Sequence, residues 1–300
     1  MSNQIRTLAE ILTDNTPEPV EIIGGGILKK RSLLLIAGQQ KSKKSFLAMN
    51  LGVAIAAGRA FACFPVSVPS SVLILSAEGG DYSNMKRLKK MYGALGITSV
   101  PTLWLCSDAR WKFDTETDYQ DLRTKISELR PEVVIVDPLV KFHYKDENSS
   151  SEMARILNRL RELIEDFGIS IILIHHMGKN EEGTARGSSA ILGEYDAYIQ
   201  IARGDLTQKI KFDLRHTEPR EDLQIRFNPD TYWFELANQN PLIKLVQECG
   251  EHQKRELVEK LVKSHRCGVR STVYRKIDGA LETGLLRQTE RGTIVPTTIS

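Results

Sequence analysis

The sequence has 300 residues, which is enough for about two domains with hydrophobic cores of their own. Its hydrophobic fraction of 41% and charged fraction of 26% are those of an ordinary globular protein, and no apolar run approaches the roughly 18 residues of a membrane span. Residues 1–6 lack the apolar region of a signal peptide, so we expect a cytoplasmic protein without a membrane partner.

The net charge of +3 is unevenly distributed. Residues 241–300 hold 11 Lys and Arg against 7 Asp and Glu, whereas the first 240 residues hold 30 against 31. This local excess is typical of a module that faces nucleic acid. The four cysteines are scattered without a CxxC pair, which indicates reduced thiols rather than a zinc site or a disulfide framework.

In chain order, residues 1–30 form an entry segment without a long period, and from residue 31 to about 204 short apolar runs alternate with helical patterns. The predicted strands are residues 32–37, 71–76, 103–107, 133–137 and 169–175. The predicted helices are residues 44–58, 82–92, 119–129 and 152–167. The last helix has a capping-box pattern at Ser149 and Glu152 and a stop at Gly168. This alternation predicts an α/β fold with a mostly parallel sheet covered by helices on both faces, over residues 31–237.

Between residues 205 and 236 the hydrophobic period changes to two. Residues 209–216 alternate strictly, with Ile210, Phe212 and Leu214 on one face. We expect an antiparallel extension of the sheet there, continued by residues 223–227 and 232–236, and then a linker at 238–241.

Residues 242–300 have the pattern of a small separate domain. Helices are predicted at 254–263 and 271–283, and strands at 285–288 and 293–296 flank a turn. Helix, turn, basic helix and hairpin predict a winged helix-turn-helix whose second helix enters a major groove. The candidate duplex-binding residues are Arg270, Arg275, Lys276 and, on the wing, Arg291. A small packing or dimerisation domain is the alternative.

The most informative motif follows the first strand of the α/β region. Residues 38–45 read Gly-Gln-Gln-Lys-Ser-Lys-Lys-Ser, which fits G-x-x-x-x-G-K-[ST] except that Lys43 stands at the second glycine. Such a loop binds phosphate because backbone N–H groups and the helix dipole point at the anion. Lys44 is the candidate cation for the terminal phosphates, and Ser45 is the candidate Mg²⁺ ligand. The predicted nucleotide-binding residues are Gly38, Gln39, Gln40, Lys41, Ser42, Lys43, Lys44, Ser45 and Phe46. A lysine-rich surface loop before a core helix is the alternative.

Two acidic residues end apolar strands. Asp137 closes residues 133–137, where it could support the Mg²⁺ site. Glu78 follows residues 72–76, at the carboxyl edge where open α/β sheets bind ligands, and is the best candidate to polarise an attacking water. A helix cap in a turn is the alternative for Glu78.

His175 and His176 end the last parallel strand. Adjacent strand residues face opposite sides, so one histidine could contact a terminal phosphate or its water while the other turns toward the next loop. That loop, residues 178–193, is rich in Gly, Ser and charge, and its Lys179 and Arg186 are candidate contacts for a nucleic-acid backbone. A packed histidine and a plain solvated loop are the alternatives.

Taken together, these motifs resemble the RecA-like P-loop ATPases, and specifically the RepA-type helicases of plasmids and mobile elements. The resemblance covers residues 18–236. It rests on Ile-Ala-Gly-Gln-Gln-Lys-Ser-Lys-Lys-Ser, Ser-Ala-Glu-Gly, Val-Ile-Val-Asp-Pro, Leu-Ile-His-His and Ala-Arg-Gly-Ser-Ser, the last at 185–189.

The resemblance implies ATP and Mg²⁺ as cofactors, with Lys44, Glu78, Asp137, His175 and His176 in the catalytic site. It also implies a homo-oligomeric ring, a hexamer, in which single-stranded DNA contacts the ATPase domains. A neighbouring subunit supplies an arginine in such rings, and Arg215 has the similar position.

We therefore expect an ATP-dependent DNA helicase or replication protein of a mobile element. A nucleotide-gated DNA-binding regulator or helicase loader without motor activity is the alternative, because Lys43 could weaken turnover. A small-molecule phosphotransferase is disfavoured because the sequence shows no substrate domain.

Overall fold

This computed structural model describes residues 5–177, 194–204, 207–215, 217–237, 242, 246, 249–263, 269–282 and 286–296. The chain forms two compact units. The first comprises Met1–Leu223 with Phe227–Phe234, and the second comprises Gln224–Arg226 with Glu235–Ser300.

The elements up to residue 236 alternate as the sequence predicts. In chain order they are α1 (Leu8–Leu12), β1 (Glu21–Ile23), β2 (Leu28–Lys29), β3 (Leu33–Gly38), α2 (Lys44–Ala57), β4 (Val72–Ser76), α3 (Asp81–Ala94), β5 (Leu103–Ser107), α4 (Glu116–Leu129), β6 (Val133–Asp137), a 3₁₀ turn (Leu139–Lys141), α5 (Ser150–Phe167), β7 (Ser170–His176), β8 (Ala197–Ile201), β9 (Gln208–Leu214), β10 (Leu223–Phe227) and β11 (Phe234–Leu236).

Nine of these strands form one sheet in the order β11-β10-β9-β8-β3-β7-β6-β4-β5. Strands β8, β3, β7, β6, β4 and β5 are parallel to one another, and β9 runs antiparallel to β8. The predictions of a mostly parallel sheet and of an antiparallel extension at 209–216 are therefore confirmed.

Helices cover both faces of the sheet because side chains alternate along each strand. Leu33 and Leu35 belong to a buried cluster with residues of α4 and α5. On the other face α2 lies close against the strands, since a Cβ on its Gly52 would lie 3.0 Å from the Ile74 side chain and 3.2 Å from that of Ile135. Continuous apolar strands are required for this arrangement, because both faces are buried.

Several boundaries differ from the predicted ones for identifiable reasons. Helix α5 begins at Ser150, after the Ser149 hydroxyl accepts a hydrogen bond from the Glu152 N–H, and ends before Gly168 in the left-handed conformation. Strand β11 starts at Phe234 rather than residue 232 because Tyr232 has φ 62°, which no strand residue adopts. Strand β8 was not among the predicted strands, and the entry segment contains α1 and the β1–β2 pair, which were not predicted either.

Helix α2 is tied to the turn between β10 and β11 by one buried side chain. The Asn50 amide donates to the Tyr232 carbonyl (3.0 Å) and accepts from the Phe234 N–H (2.9 Å). Asn50 is 0% exposed, so both bonds satisfy groups that would otherwise be costly to bury. The residue between them, Trp233, donates from its indole to the Met91 carbonyl on α3 (2.9 Å).

The second unit contains β12 (His252–Gln253), α6 (Lys254–Lys263), α7 (Arg270–Glu282), β13 (Leu286–Gln288) and β14 (Thr293–Pro296). Its three strands form an antiparallel sheet in the order β12-β14-β13. A separate apolar cluster, which includes Leu257 and Leu261 of α6 and Val273 and Ile277 of α7, forms its core. The predicted hairpin is confirmed, while the short strand β12 was not predicted.

Within the described ranges, none of the helices has the length and apolar character needed to cross a bilayer.

Candidate functional site

The carboxyl ends of four neighbouring parallel strands bring the predicted site residues into one row. Gly38 at the end of β3 lies in register with His176 at the end of β7, and Ser76 at the end of β4 lies in register with Asp137 at the end of β6. Open α/β sheets bind their ligands at this edge. The sheet topology thus assembles residues that are up to about 140 positions apart in sequence.

Gly38 is required by close packing at the start of the loop. A Cβ at this position would lie 2.3 Å from the Ile201 carbonyl oxygen and 2.9 Å from the Ser42 hydroxyl. The Ser42 hydroxyl itself is buried and has no hydrogen-bond partner in the described residues. A buried polar atom without a partner inside a loop of this kind fits a bound ligand that supplies one.

Lys43, which replaces the second glycine of the motif, has φ 64° and ψ 26° and caps the first turn of α2. This left-handed conformation is what glycine adopts without cost, and it destabilises a lysine by roughly 1–2 kcal/mol. Lys41 has the same φ of 64°. The Lys43 ammonium lies over the Phe227 ring, 5.5 Å from its centroid. The loop therefore keeps a glycine-like backbone while the lysine side chain leaves it.

Lys44 is the first residue of α2 and is only 4% exposed. Its ammonium donates to the Gly38 carbonyl (2.7 Å) and to the Gln39 carbonyl (2.8 Å). Burial lowers the pKa of Lys44 to about 8, although the Asp137 and Glu78 carboxylates favour its charged form. A desolvated ammonium held at the base of the loop is well suited to bind an anion.

Asp137 is 4% exposed, and the Ser45 hydroxyl donates a hydrogen bond to its carboxylate. Burial raises the pKa of Asp137 to about 6, against the effects of that hydrogen bond and of the Lys44 charge. One hydroxyl and one carboxylate side by side are oxygen donors of the kind that Mg²⁺ uses when phosphates and water complete its coordination. The residues present therefore fit a Mg²⁺–nucleotide complex.

Glu78 lies in the turn between β4 and α3, with its side chain about half exposed, and the Lys141 ammonium is 4.0 Å from its carboxylate. Asn84, which is 0% exposed, shapes this turn by donating to the Ser76 hydroxyl and to the Glu78 carbonyl, both at 3.1 Å. The carboxylate therefore projects from a braced backbone and remains accessible to a water.

The two histidines of β7 face opposite sides, as predicted. His176 lines the same pocket as Lys44 and Asp137. His175 is 0% exposed, and its Nδ1 lies 3.5 Å from a carboxylate oxygen of Glu147 in the preceding β6–α5 loop. Close to them is His143, whose pKa is lowered by burial. No group of three or more His, Cys, Asp or Glu within the described ranges has an arrangement suited to holding a metal ion.

One pocket of about 280 Å³ collects these side chains. Its lining residues are Lys41, Lys43, Lys44, Ser45, Phe46, Ser76, Glu78, Gly79, Arg87, Asp137 and His176. Sequence reasoning missed Arg87 of α3, whose guanidinium lies 4.8 Å from the centroid of the Phe46 ring. Its position on the first helix after Glu78, three residues beyond Asn84, could have suggested a place near the same strand end.

A larger cavity, of about 480 Å³, lies elsewhere and is lined by residues such as Lys29, Arg31 and Asp196. These residues lie near the amino ends of β3 and β8, away from the row of site residues described above. We assign the candidate site to the smaller pocket because it collects the phosphate-binding loop and the acidic strand ends.

The structure does not bring Arg215 to the pocket of its own chain. Arg215 directly follows β9, its N–H donates to the Asp196 carbonyl (3.2 Å), and its guanidinium lies 5.3 Å from the centroid of the Tyr195 ring. Asp196 in turn accepts from the Leu33 N–H, at the amino end of β3. Since five residue steps of β3 separate Leu33 from Gly38, Arg215 lies about 16 Å along the strand from the loop.

The remaining predicted DNA contacts fall in two regions. Lys179 and Arg186 lie outside the described residues. On α7, Arg275 and Lys276 are exposed, opposite to the buried Val273 and Ile277, as predicted. Arg270 is exposed but pairs with Glu259 of α6 (3.4 Å), and Arg291 is exposed on the β13–β14 turn.

Comparison with known proteins relates this site to a family. The DNA repair protein RadA of Bacillus subtilis (strain 168) is 27% identical over 170 residues, which are 55% of this chain and 31% of RadA, so the chain spans about a third of that relative. A solved structure, the ATPase domain of a helicase, matches 69% of this chain and 85% of its own with a TM-score of 0.55 at 14% identity, which shows a common fold. A family described as an AAA domain (AAA_25) matches residues 3–182. Since this match spans more than half of the chain, the protein belongs to the AAA domain family.

Proposed function

We propose that this protein is a Mg²⁺-dependent ATPase that acts on DNA as a helicase or replication protein of a mobile element. The observation that carries the proposal is the pocket in which the loop lysine Lys44, the Ser45–Asp137 pair, Glu78 and His176 meet. Membership of the AAA domain family, the common fold with the solved helicase ATPase domain and the partial similarity to the DNA repair protein RadA support it.

The chemistry follows from the position of each group. Backbone N–H groups of residues 39–45 and the N-terminus of α2 cradle the phosphates. Lys44 pairs with the terminal phosphates, and Ser45 and Asp137 hold Mg²⁺, which neutralises charge on the phosphate oxygens when bound. Glu78 polarises the attacking water, because its carboxylate is accessible and borders the pocket. His176 contacts the terminal phosphate or that water.

We further propose that the active form is a homo-oligomeric ring, a hexamer, with the ATP site shared between subunits. Arg215 lies far from the pocket of its own chain on an exposed strand end, which suits a group that reaches the site of a neighbour. An arginine supplied in this way stabilises the charge that develops in the transition state more than it stabilises bound ATP.

DNA contact is proposed for two surfaces. Residues 178–193, with Lys179 and Arg186, would follow a single strand from the ATPase ring. The second unit would bind duplex DNA as a winged helix-turn-helix, with Arg275 and Lys276 on the recognition helix α7 and Arg291 on the wing. The exposure of these three side chains beside a two-helix and hairpin arrangement supports this assignment.

One observation favours a second candidate function, a nucleotide-gated regulator or helicase loader. Lys43 holds a left-handed conformation that destabilises a lysine, and its side chain borders the pocket. A loop with this feature could bind ATP and turn it over slowly, so that nucleotide occupancy rather than motor action controls DNA binding.

The decisive experiment measures ATP hydrolysis with and without single-stranded DNA and records the native mass in parallel. The ATPase proposal requires hydrolysis that Lys44→Ala abolishes in a folded protein, and the motor proposal requires stimulation by single-stranded DNA together with a ring-sized mass. Nucleotide binding without stimulated hydrolysis would favour the loader or regulator. Retained hydrolysis in Lys44→Ala would refute the site assignment.

A further inference from the structure

Arg87 is the one cation of α3 that borders the nucleotide pocket, and none of the steps above uses it. Its guanidinium is half-buried against the Phe46 ring. It also lies near enough to Asp137 for its charge to lower the pKa of that carboxyl.

The guanidinium of Arg87 is poorly satisfied in the described part of the chain. It makes one long hydrogen bond, from Nη1 to the Asn84 side-chain oxygen (3.4 Å), and no ion pair within 4 Å. A guanidinium has five N–H donors in a planar fork that matches two oxygens of a phosphate. A half-buried cation with most of its donors unengaged is therefore a ready partner for an anion in the pocket.

The backbone beside Arg87 is arranged to leave it room. Gly79 has φ 87°, and a Cβ there would lie 3.0 Å from the Asn84 side-chain oxygen and 3.4 Å from Arg87 Nη1. Asn84 also donates to the carbonyl of Glu78. The same buried amide thus anchors Arg87 and the turn that carries Glu78, so the two side chains belong to one end of the pocket.

We propose that Arg87 is a phosphate-binding residue of its own subunit that contacts the terminal phosphate and so selects nucleoside triphosphate over diphosphate. This inference rests on the proposed nucleotide site. The guanidinium leaves the Phe46 ring for the phosphate, a short movement of a long side chain. It acts on the subunit to which it belongs, whereas Arg215 is proposed to act on a neighbour.

The test compares the affinities of the full-length protein for AMP-PNP and for ADP, each with Mg²⁺, by titration calorimetry. Arg87→Ala should weaken AMP-PNP binding roughly 10- to 100-fold, the range expected for lost charge-assisted hydrogen bonds, and ADP binding by less than about threefold. Lys86→Ala removes an exposed cation of the same helix and should leave both affinities unchanged. Arg87→Lys keeps the charge without the fork and should recover part of the AMP-PNP affinity.

Equal weakening of AMP-PNP and ADP would overturn the proposal, since Arg87 would then contact an inner phosphate, the sugar or the base, or would support the fold alone. Unchanged affinities in Arg87→Ala would overturn it as well. If Arg87→Ala does not fold, Arg87→Lys carries the test, and a wild-type ratio of the two affinities in that variant refutes the inference. Failure of the nucleotide site itself has a different signature, because the wild-type protein would then bind neither ligand.

Discussion

The buried ammonium of Lys44 should make nucleotide binding depend on pH in a range where ATP itself no longer titrates. Burial lowers the pKa of Lys44 from 10.5 to about 8 in the free protein. Bound phosphates provide the opposite charge that this site lacks, so the pKa should rise again in the complex. A difference of about 2.5 units corresponds to about 3 kcal/mol, using 1.36 kcal/mol for each unit.

The sign follows from proton linkage. Well below pH 8 Lys44 is already charged and binding takes up no proton. Above pH 8 the free protein has lost the proton that the complex requires, so the affinity should fall by up to about tenfold for each further pH unit. Binding should therefore be nearly constant from pH 7 to 7.5 and roughly fivefold weaker at pH 9 than at pH 8.

The assay is titration calorimetry with ADP and Mg²⁺ between pH 7 and 9.5, in two buffers of different ionisation enthalpy. The difference between the buffers should show uptake of about half a proton at pH 8 and close to one at pH 9. Lys44→Arg is the matched control, because a guanidinium stays charged throughout this range and should give a flat profile. A flat profile in the wild-type protein, or the same slope in Lys44→Arg, would refute the reasoning.

Three further predictions concern other parts of the chain. Lys43→Gly should raise the free energy of unfolding in urea by roughly 1 kcal/mol, because the left-handed backbone no longer destabilises a side chain, and should tighten nucleotide binding; weaker binding by calorimetry would show that the lysine is an adapted part of the site. Arg215→Ala should leave ATP binding nearly intact and reduce turnover by a factor of roughly 10³ or more; mixing it with Glu78→Gln subunits should restore some activity, and a lack of rescue in mixed rings confirmed by mass would contradict a shared site. Arg275→Ala with Lys276→Ala should weaken duplex binding by the full chain and lower its log–log salt slope by about two, with basal hydrolysis unchanged; equal duplex binding by the double variant would exclude α7 as the recognition helix.

The sequence was most informative where chemistry and local structure depend on neighbouring residues. The strand, loop and helix around residues 38–45 were predictable because glycine, lysine and serine stand at short fixed spacings between apolar runs. The opposite directions of His175 and His176 followed from the period of a strand. The alternation at 209–216 likewise predicted which face of β9 is buried.

What the sequence did not reveal depends on contacts between distant segments. Arg87 borders the pocket only because α3 leaves the sheet next to the loop, and no local pattern marks it. The contact between His175 and Glu147 joins residues 28 positions apart, through a loop without a recognisable pattern. Strand β8 is a five-residue run that follows a stretch rich in glycine and charge, which hides its period.

The bond between Asn50 and the β10–β11 turn places an optical probe beside the phosphate-binding helix. Trp233 sits between the two residues whose backbone Asn50 holds, it is 7% exposed, and its ring packs edge to face against Phe61 at 5.0 Å. Any shift of α2 when the loop at its N-terminus closes on phosphate must pass through Asn50 to this indole. The intrinsic emission of Trp233, isolated by replacing Trp104 and Trp111 with Phe, should therefore report nucleotide occupancy without a label.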